Sequence, residues 1–152
     1  MIAYLTARIK EFDKTIEKIL ATRYPEANEA LRQIGGVGAI TALCFICVIQ
    51  DPGRFETSRS VGPYVGLAPG RKQSGDSDPK QGITKTGDAL LRCQLTRAAH
   101  YIMTFGKDSD LRRTAERLLA KDKPRQVVAC ALARKLAVVL HRLWSSGDAY
   151  EP

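Results

Sequence analysis

Six apolar residues open the chain, Ile2, Leu5, Ile9, Phe12, Ile16 and Ile19, at spacings of 3, 4, 3, 4 and 3, with Arg8, Lys10, Glu11, Lys14 and Glu17 among the residues between them. That period places them on one side of an α-helix as an a/d heptad seam. A seam this short is marginal as a free helix in water, so it needs a partner, either the body of the same chain or another copy. Tyr24-Pro25 closes the segment, because the residue before a proline is pushed out of the helical region. The expected organisation is an N-terminal coiled-coil arm over 1–24 and a helical domain over 25–152.

Helical periodicity continues through most of the chain. Short helices are expected over Glu26 to Gln33 and Ser60 to Leu67, the latter ending at Gly66, and longer ones over Ile40 to Ile49, Ala89 to Phe105, Leu111 to Lys121 and Gln126 to Trp144. Asp51-Pro52-Gly53-Arg54 reads as a turn, and Pro124 suits the start of the last helix, where its missing N–H costs nothing. The exception is Ala68 to Asp88, dense in Gly, Pro, Ser and Asp, which is expected to be a long loop or a small hairpin. A loop of that length inside a compact domain is uncommon unless it has a function. The fold class is therefore mainly α, with one Gly/Pro/Ser-rich loop.

The glycines at 36 and 38 flank Val37 between two helical patterns, as a tight helix-to-helix turn requires. Such a turn presents consecutive backbone N–H groups at the start of the next helix, where they can hold a phosphate. The segment resembles the hairpin of helix-hairpin-helix nucleic-acid modules, which makes Gly36, Val37 and Gly38 candidate phosphate contacts. A turn that only lets two helices pack closely would use the same residues.

Charge points the same way. Lys and Arg number 24 against 16 Asp and Glu, a net charge of +8. Between Arg112 and Lys135 there are eight basic residues and two acidic ones, Glu116 and Asp122. Cations set against phosphates release condensed counterions, so the excess favours a polyanionic partner. No apolar run approaches the roughly 18 residues that span a bilayer; the longest is Ile40 to Ile49. The N-terminus lacks the pattern of a secretory signal, and the expected location is cytoplasmic. Cys44, Cys47, Cys93 and Cys130 are then expected to be reduced core thiols. A single C-x-x-C without a second pair makes no zinc site, so no metal ligands are assigned. His100 and His141 have no evident companion and read as structural.

Several ordered blocks together resemble the C-terminal transposase domain of the DEDD-type transposases of the insertion sequence 110/116/902 family. They are Ile34-Gly35-Gly36-Val37-Gly38 with Thr41-Ala42, Asp51-Pro52-Gly53-Arg54-Phe55, Val65-Gly66-Leu67-Ala68-Pro69, Ser74-Gly75, Gly82-Ile83-Thr84-Lys85-Thr86-Gly87-Asp88 with Leu91-Arg92 and Ala98-Ala99, Ala133-Arg134-Lys135-Leu136-Ala137, and Tyr150-Glu151-Pro152. Gly35 stands where the family usually has proline, and Asp88 where asparagine is frequent. The resemblance implies a serine nucleophile at the S-G block, Ser74, that attacks a DNA phosphate. It also implies DNA and a structured guide RNA as partners, and a RuvC-like domain, expected outside this chain, that binds Mg2+ through carboxylates. With only 152 residues, the chain is expected to be a part of such a protein, inactive by itself.

The residues around Ser74 are consistent with that chemistry. A serine hydroxyl is a weak nucleophile unless a base or metal activates it and positive groups hold the phosphate. Arg71, Lys72, Lys80 and Lys85 are the nearest cations, and Arg92, Arg134 and Lys135 in the later blocks complete the candidate nucleic-acid contacts. The expected function is strand cleavage and rejoining in transposition, with a homo-oligomer formed through the N-terminal seam. A non-catalytic helix-hairpin-helix nucleic-acid-binding module, or a helical assembly domain with incidental charge, would share much of this pattern.

Overall fold

A computed structural model of the chain describes residues 1–70 and 82–152. The candidates Arg71, Lys72, Ser74 and Lys80 fall outside the described residues.

The fold is mainly α, as expected. The α-helices are α1 (Ile2–Arg23), α2 (Pro25–Leu31), α3 (Ala39–Ile49), α4 (Val61–Tyr64), α5 (Ala89–Phe105), α6 (Asp110–Leu119) and α7 (Arg125–Ser146). Their ends follow from local chemistry. Pro25 opens α2, the Asp88 carboxylate accepts the Leu91 N–H at 2.7 Å at the start of α5, and Ser109 Oγ accepts the Arg112 N–H at the start of α6. Gly147, in the left-handed conformation at φ 70°, ends α7.

Helix α7 is the central element and packs against α2, α4, α5 and α6. Val128, Ala129, Leu132, Ala133, Leu136, Ala137, Leu140 and Leu143 are all buried along it. The small side chains of Ala129, Ala133 and Ala137 repeat every four residues and let neighbouring backbones approach closely. Against them lie Leu91, Leu95, Ala98, Ala99 and Ile102 of α5. Each large aliphatic side chain removed from water here contributes about 1.5–3 kcal/mol.

The seam on α1 divides. Ile16 and Ile19 are partly buried, beside the fully buried Leu20, where the helix packs against α2 and α3. Ile2, Leu5, Ile9 and Phe12 are each more than half exposed. The Arg32 to Glu17 ion pair at 2.7 Å also joins α1 to the end of α2, but both groups are solvent-accessible and such pairs contribute about 0–1 kcal/mol.

Between α3 and α5 the chain departs from the expected pattern. The single short helix expected over Ser60 to Leu67 is instead a 3-10 turn at Ser58–Ser60 followed by the four-residue α4, and a further 3-10 turn spans Pro52–Arg54. Gly66, the expected end of this helix, turns left-handed at φ 75° and stops it there. At either side of residues 71–81, Pro69 and Ile83 form an isolated antiparallel bridge. There Gly70 N–H donates to the Gly82 carbonyl and Thr84 N–H to the Ala68 carbonyl, both at 2.9 Å. No longer strand occurs among the described residues.

His141 is structural, as its isolation in the sequence suggested. It is buried in α7, with Nε2 2.9 Å from the Pro52 carbonyl and Nδ1 2.9 Å from Ser58 Oγ. Since the carbonyl can only accept, Nε2 carries the proton and Nδ1 accepts from the Ser58 hydroxyl. The ring thereby fixes both 3-10 turns to the central helix, with Phe55 edge-on at 5.4 Å. His141→Ala is expected to lower stability by about 3 kcal/mol through the missing hydrogen bonds and the space left behind. Urea denaturation measures this, and a loss below about 1 kcal/mol would mean that solvent or neighbours replace the ring at little cost.

The cysteine expectation needs correction. All four are free thiols, but Cys47 and Cys93 are exposed, while Cys44 and Cys130 are only partly buried. The run on α3 is apolar nearly all round, so composition alone did not reveal that Cys47 faces outward. Burial pushes the Cys44 thiol above its ordinary pKa, assisted by Cys47 and Asp88.

Candidate nucleic-acid interface

Two clefts gather the candidate residues. The first surrounds the glycine hairpin between α2 and α3. Gly36 adopts φ 97°, and a Cβ there would lie 2.9 Å from Tyr101 Cδ1 and 3.2 Å from the Ala98 carbonyl oxygen. The turn thus needs glycine both for its backbone and to sit against α5. Val37 does not face outward: its side chain is buried in the core and its N–H donates to the Ile34 carbonyl at 3.0 Å. The amides of Ala39, Ile40 and Thr41, in the first turn of α3, have no acceptor within the helix, and no side chain caps that end. They border a cleft of about 520 Å³ that includes Gly36, Gly38 and Arg97, with Asp13 and Glu17 of α1 on its edge. Both the free amides and the arginine suit an anion, and the two carboxylates oppose it.

The second cleft, of about 990 Å³, lies between α4, the paired segments around Pro69 and Ile83, and one face of α7. Here the fold brings together Lys85, Arg134 and Lys135, which are far apart in the sequence, and adds Arg59, which sequence reasoning missed. Arg59 stands in Ser58-Arg59-Ser60 with no periodic or motif signal of its own, so only the turn that carries it to the cleft reveals it. Among the described lining residues there is no Asp or Glu. Gly62 makes room for one of these cations, because a Cβ at that position would lie 2.7 Å from Arg134 Cγ. Lys135 is partly committed elsewhere, with Nζ 2.7 Å from Thr114 Oγ1 and 3.4 Å from the Asp110 carbonyl. A hydrogen bond from Arg113, with the charges of Arg113 and Lys135, holds the Asp110 carboxyl below the usual carboxylate range.

Arg92 is not available in the same way. Its Nη1 donates to the carbonyls of Thr86 at 2.9 Å and Gly87 at 3.1 Å, with Asp88 and Val65 slightly farther. The guanidinium gathers the carbonyls of Val65, Thr86, Gly87 and Asp88 and so fixes the described residues on either side of 71–81 to α5. Pro69 and Gly82, which flank the segment containing Ser74, line the second cleft. No group of three or more His, Cys, Asp or Glu side chains among the described residues could hold a metal ion.

The fold and its clefts define a mainly helical domain with a glycine hairpin and a cation-lined cleft, and its family comes from comparison with known proteins. The profile of the Transposase IS116/IS110/IS902 family matches residues 28–115, and the chain belongs to that family. It is 31% identical over 150 residues to the transposase for insertion sequence element IS1328 of Yersinia enterocolitica, covering 97% of this chain and 44% of that protein. It is 33% identical over 119 residues to the pilin gene-inverting protein of Moraxella lacunata, covering 76% of this chain and 37% of that protein. The chain thus spans less than half the length of these relatives.

Proposed function

We propose that this chain is the DNA-engaging, serine-bearing C-terminal part of a DEDD-type transposase that cuts and rejoins DNA strands. The observation that carries the reading is the second cleft: Arg59, Lys85, Arg134 and Lys135 line it together with Pro69 and Gly82, which flank the segment that holds Ser74, and no carboxylate among the described lining residues opposes them. In the proposed step Ser74 Oγ attacks a DNA phosphorus, forming a phosphoserine bond as a phosphate-to-sugar oxygen bond breaks and the departing oxygen takes a proton. The cations neutralise charge on the phosphoryl oxygens. The hairpin amides and Arg97 would hold a second stretch of backbone, on DNA or on a structured guide RNA. Metal chemistry belongs in this reading to a RuvC-like domain outside the chain.

Binding of this kind is sequence-tolerant and sensitive to salt, because the protein engages phosphates. Arg59→Gln, Lys85→Gln and Arg134→Gln together are expected to lower the salt slope of duplex binding by about 0.9 for each phosphate that is no longer neutralised. Fluorescence anisotropy across a salt series reads the slope. An unchanged slope in the triple variant would remove the cleft from the interface. The same decrease confined to Arg97→Gln would move binding to the hairpin and favour a non-catalytic helix-hairpin-helix module.

Self-association through α1 belongs to the same proposal, because Leu5, Ile9 and Phe12 remain exposed along one seam. Ile9→Glu with Phe12→Glu is expected to lower the mass measured by sedimentation from an oligomer to a monomer. A wild-type chain that is monomeric at high concentration would remove this part of the reading.

A further inference from the structure

Phosphate binding accounts for the cations of the second cleft but not for its apolar walls. Leu67, Ile83, Val127, Ala131 and Val138 share that cleft with Arg59, Lys85, Arg134 and Lys135. Val127 is 54% exposed, so this apolar surface is open to a ligand. A paired duplex resting on the cations would offer these walls only sugar and phosphate. An unpaired nucleotide offers both matching chemistries, an apolar base face and an anionic phosphate. The cleft, at about 990 Å³, is large enough for such a ligand, since small-molecule sites occupy about 300–1,000 Å³. Gln126, also on the lining, can both donate to and accept from a base edge. Charge selects the ligand further, because no carboxylate among the described lining residues opposes a phosphate.

We propose that the cleft between α4 and α7 receives a single unstacked nucleotide, with its base on the apolar walls and its phosphate on Arg59, Lys85 and Arg134. This rests on the nucleic-acid reading above and names the form of substrate that the site takes. Drawing one nucleotide out of the stack costs least where it is already unpaired, so the site should prefer distorted or unpaired DNA to a regular duplex.

The test uses the full chain and two end-labelled duplexes of equal length, one fully paired and one with a single unpaired 2-aminopurine nucleotide. The unpaired duplex is expected to bind about ten-fold more tightly at the same salt concentration, because its base can leave water for the apolar walls. The 2-aminopurine is expected to brighten, because it leaves the stack for a site with no aromatic residue among its described lining. Ala131→Trp fills the cleft from an exposed position on α7 without changing charge. It is expected to abolish the preference while fully paired binding stays within about two-fold, with circular dichroism confirming the helical fold. Val127→Gln, at another exposed position, should weaken the preference by a smaller factor without adding bulk. Equal affinity for both duplexes, or a preference unaffected by either substitution, would overturn the nucleotide pocket while leaving the nucleic-acid reading intact. Absence of binding to either duplex at low salt would overturn that reading, and the pocket with it.

Discussion

Gly66→Ala is expected to be among the most damaging single substitutions in the chain, lowering stability by about 3–4 kcal/mol. An added Cβ would lie 1.9 Å from the Thr86 carbonyl oxygen and 2.6 Å from the Thr86 nitrogen, and the residue has φ 75°. Both neighbours are backbone, so no side-chain rotation relieves the overlap. Separation of the two segments would pull the Lys85 N–H from the Gly66 carbonyl, now 3.1 Å away. It would also disturb the carbonyls that Arg92 gathers from Val65, Thr86 and Gly87. Leu67 and Lys85, which line the second cleft, would move with them, so nucleic-acid affinity should fall as well. Gly35→Ala is the control: nothing lies within 4 Å of its added Cβ and its φ is not in the left-handed region. Urea denaturation of both variants decides the matter, and equal midpoints would show that the two segments separate without cost.

That close approach also explains why two of the blocks recognised in the sequence occur together. Val65-Gly66-Leu67 and Thr86-Gly87-Asp88 are about twenty residues apart in the chain, yet each glycine gives way to backbone at the other block. A Cβ on Gly87 would lie 2.3 Å from the Tyr64 carbonyl oxygen. Composition marked this region as a loop because glycine and proline suppress helical period. It could not say that the glycines are there for mutual approach, since that depends on how the loop folds back. The long helices were legible for the opposite reason: α5 starts at Ala89 and ends at Phe105, as expected, because an amphipathic period and a capping Asp88 are local signals. At α4 the terminating Gly66 was legible, whereas the 3-10 turn at Ser58–Ser60 that replaces the first turn of the expected helix was not, because it depends on the distant His141.

The candidate site was legible in part. Lys85, Arg134 and Lys135 came from blocks of the resemblance, and the fold does place them on one cleft. Arg92 came from the same source, but its guanidinium is used on loop carbonyls, a role that charge counting cannot distinguish from phosphate binding. Val37 looked like the tip of a hairpin, whereas its side chain is held in the core. Arg59 had no signal because its position is set by the 3-10 turn at Ser58–Ser60, which His141 secures from 83 residues away.

Ser74→Ala is expected to have the largest effect on activity, abolishing covalent capture of DNA while leaving DNA binding within about two-fold. The substitution removes the proposed nucleophile and no charge, so the electrostatic part of affinity is retained. The choice of Ser74 over Ser77 rests on sequence neighbours. Ser74 precedes Gly75 and follows Arg71 and Lys72, whereas Ser77 lies between Asp76 and Asp78, whose charges would repel a phosphate. The test grafts residues 1–152 in place of the matching part of a full-length relative and incubates the protein with DNA and magnesium. The unmodified graft is expected to give a serine–DNA adduct on a denaturing gel, and mass spectrometry to find the linkage at residue 74. The isolated chain is expected to bind DNA without forming the adduct, since the proposal assigns metal chemistry to a RuvC-like domain outside it. Were the adduct to persist in Ser74→Ala and vanish in Ser77→Ala, the nucleophile would be the second serine, and the two aspartates would need to act on something other than the attacked phosphate.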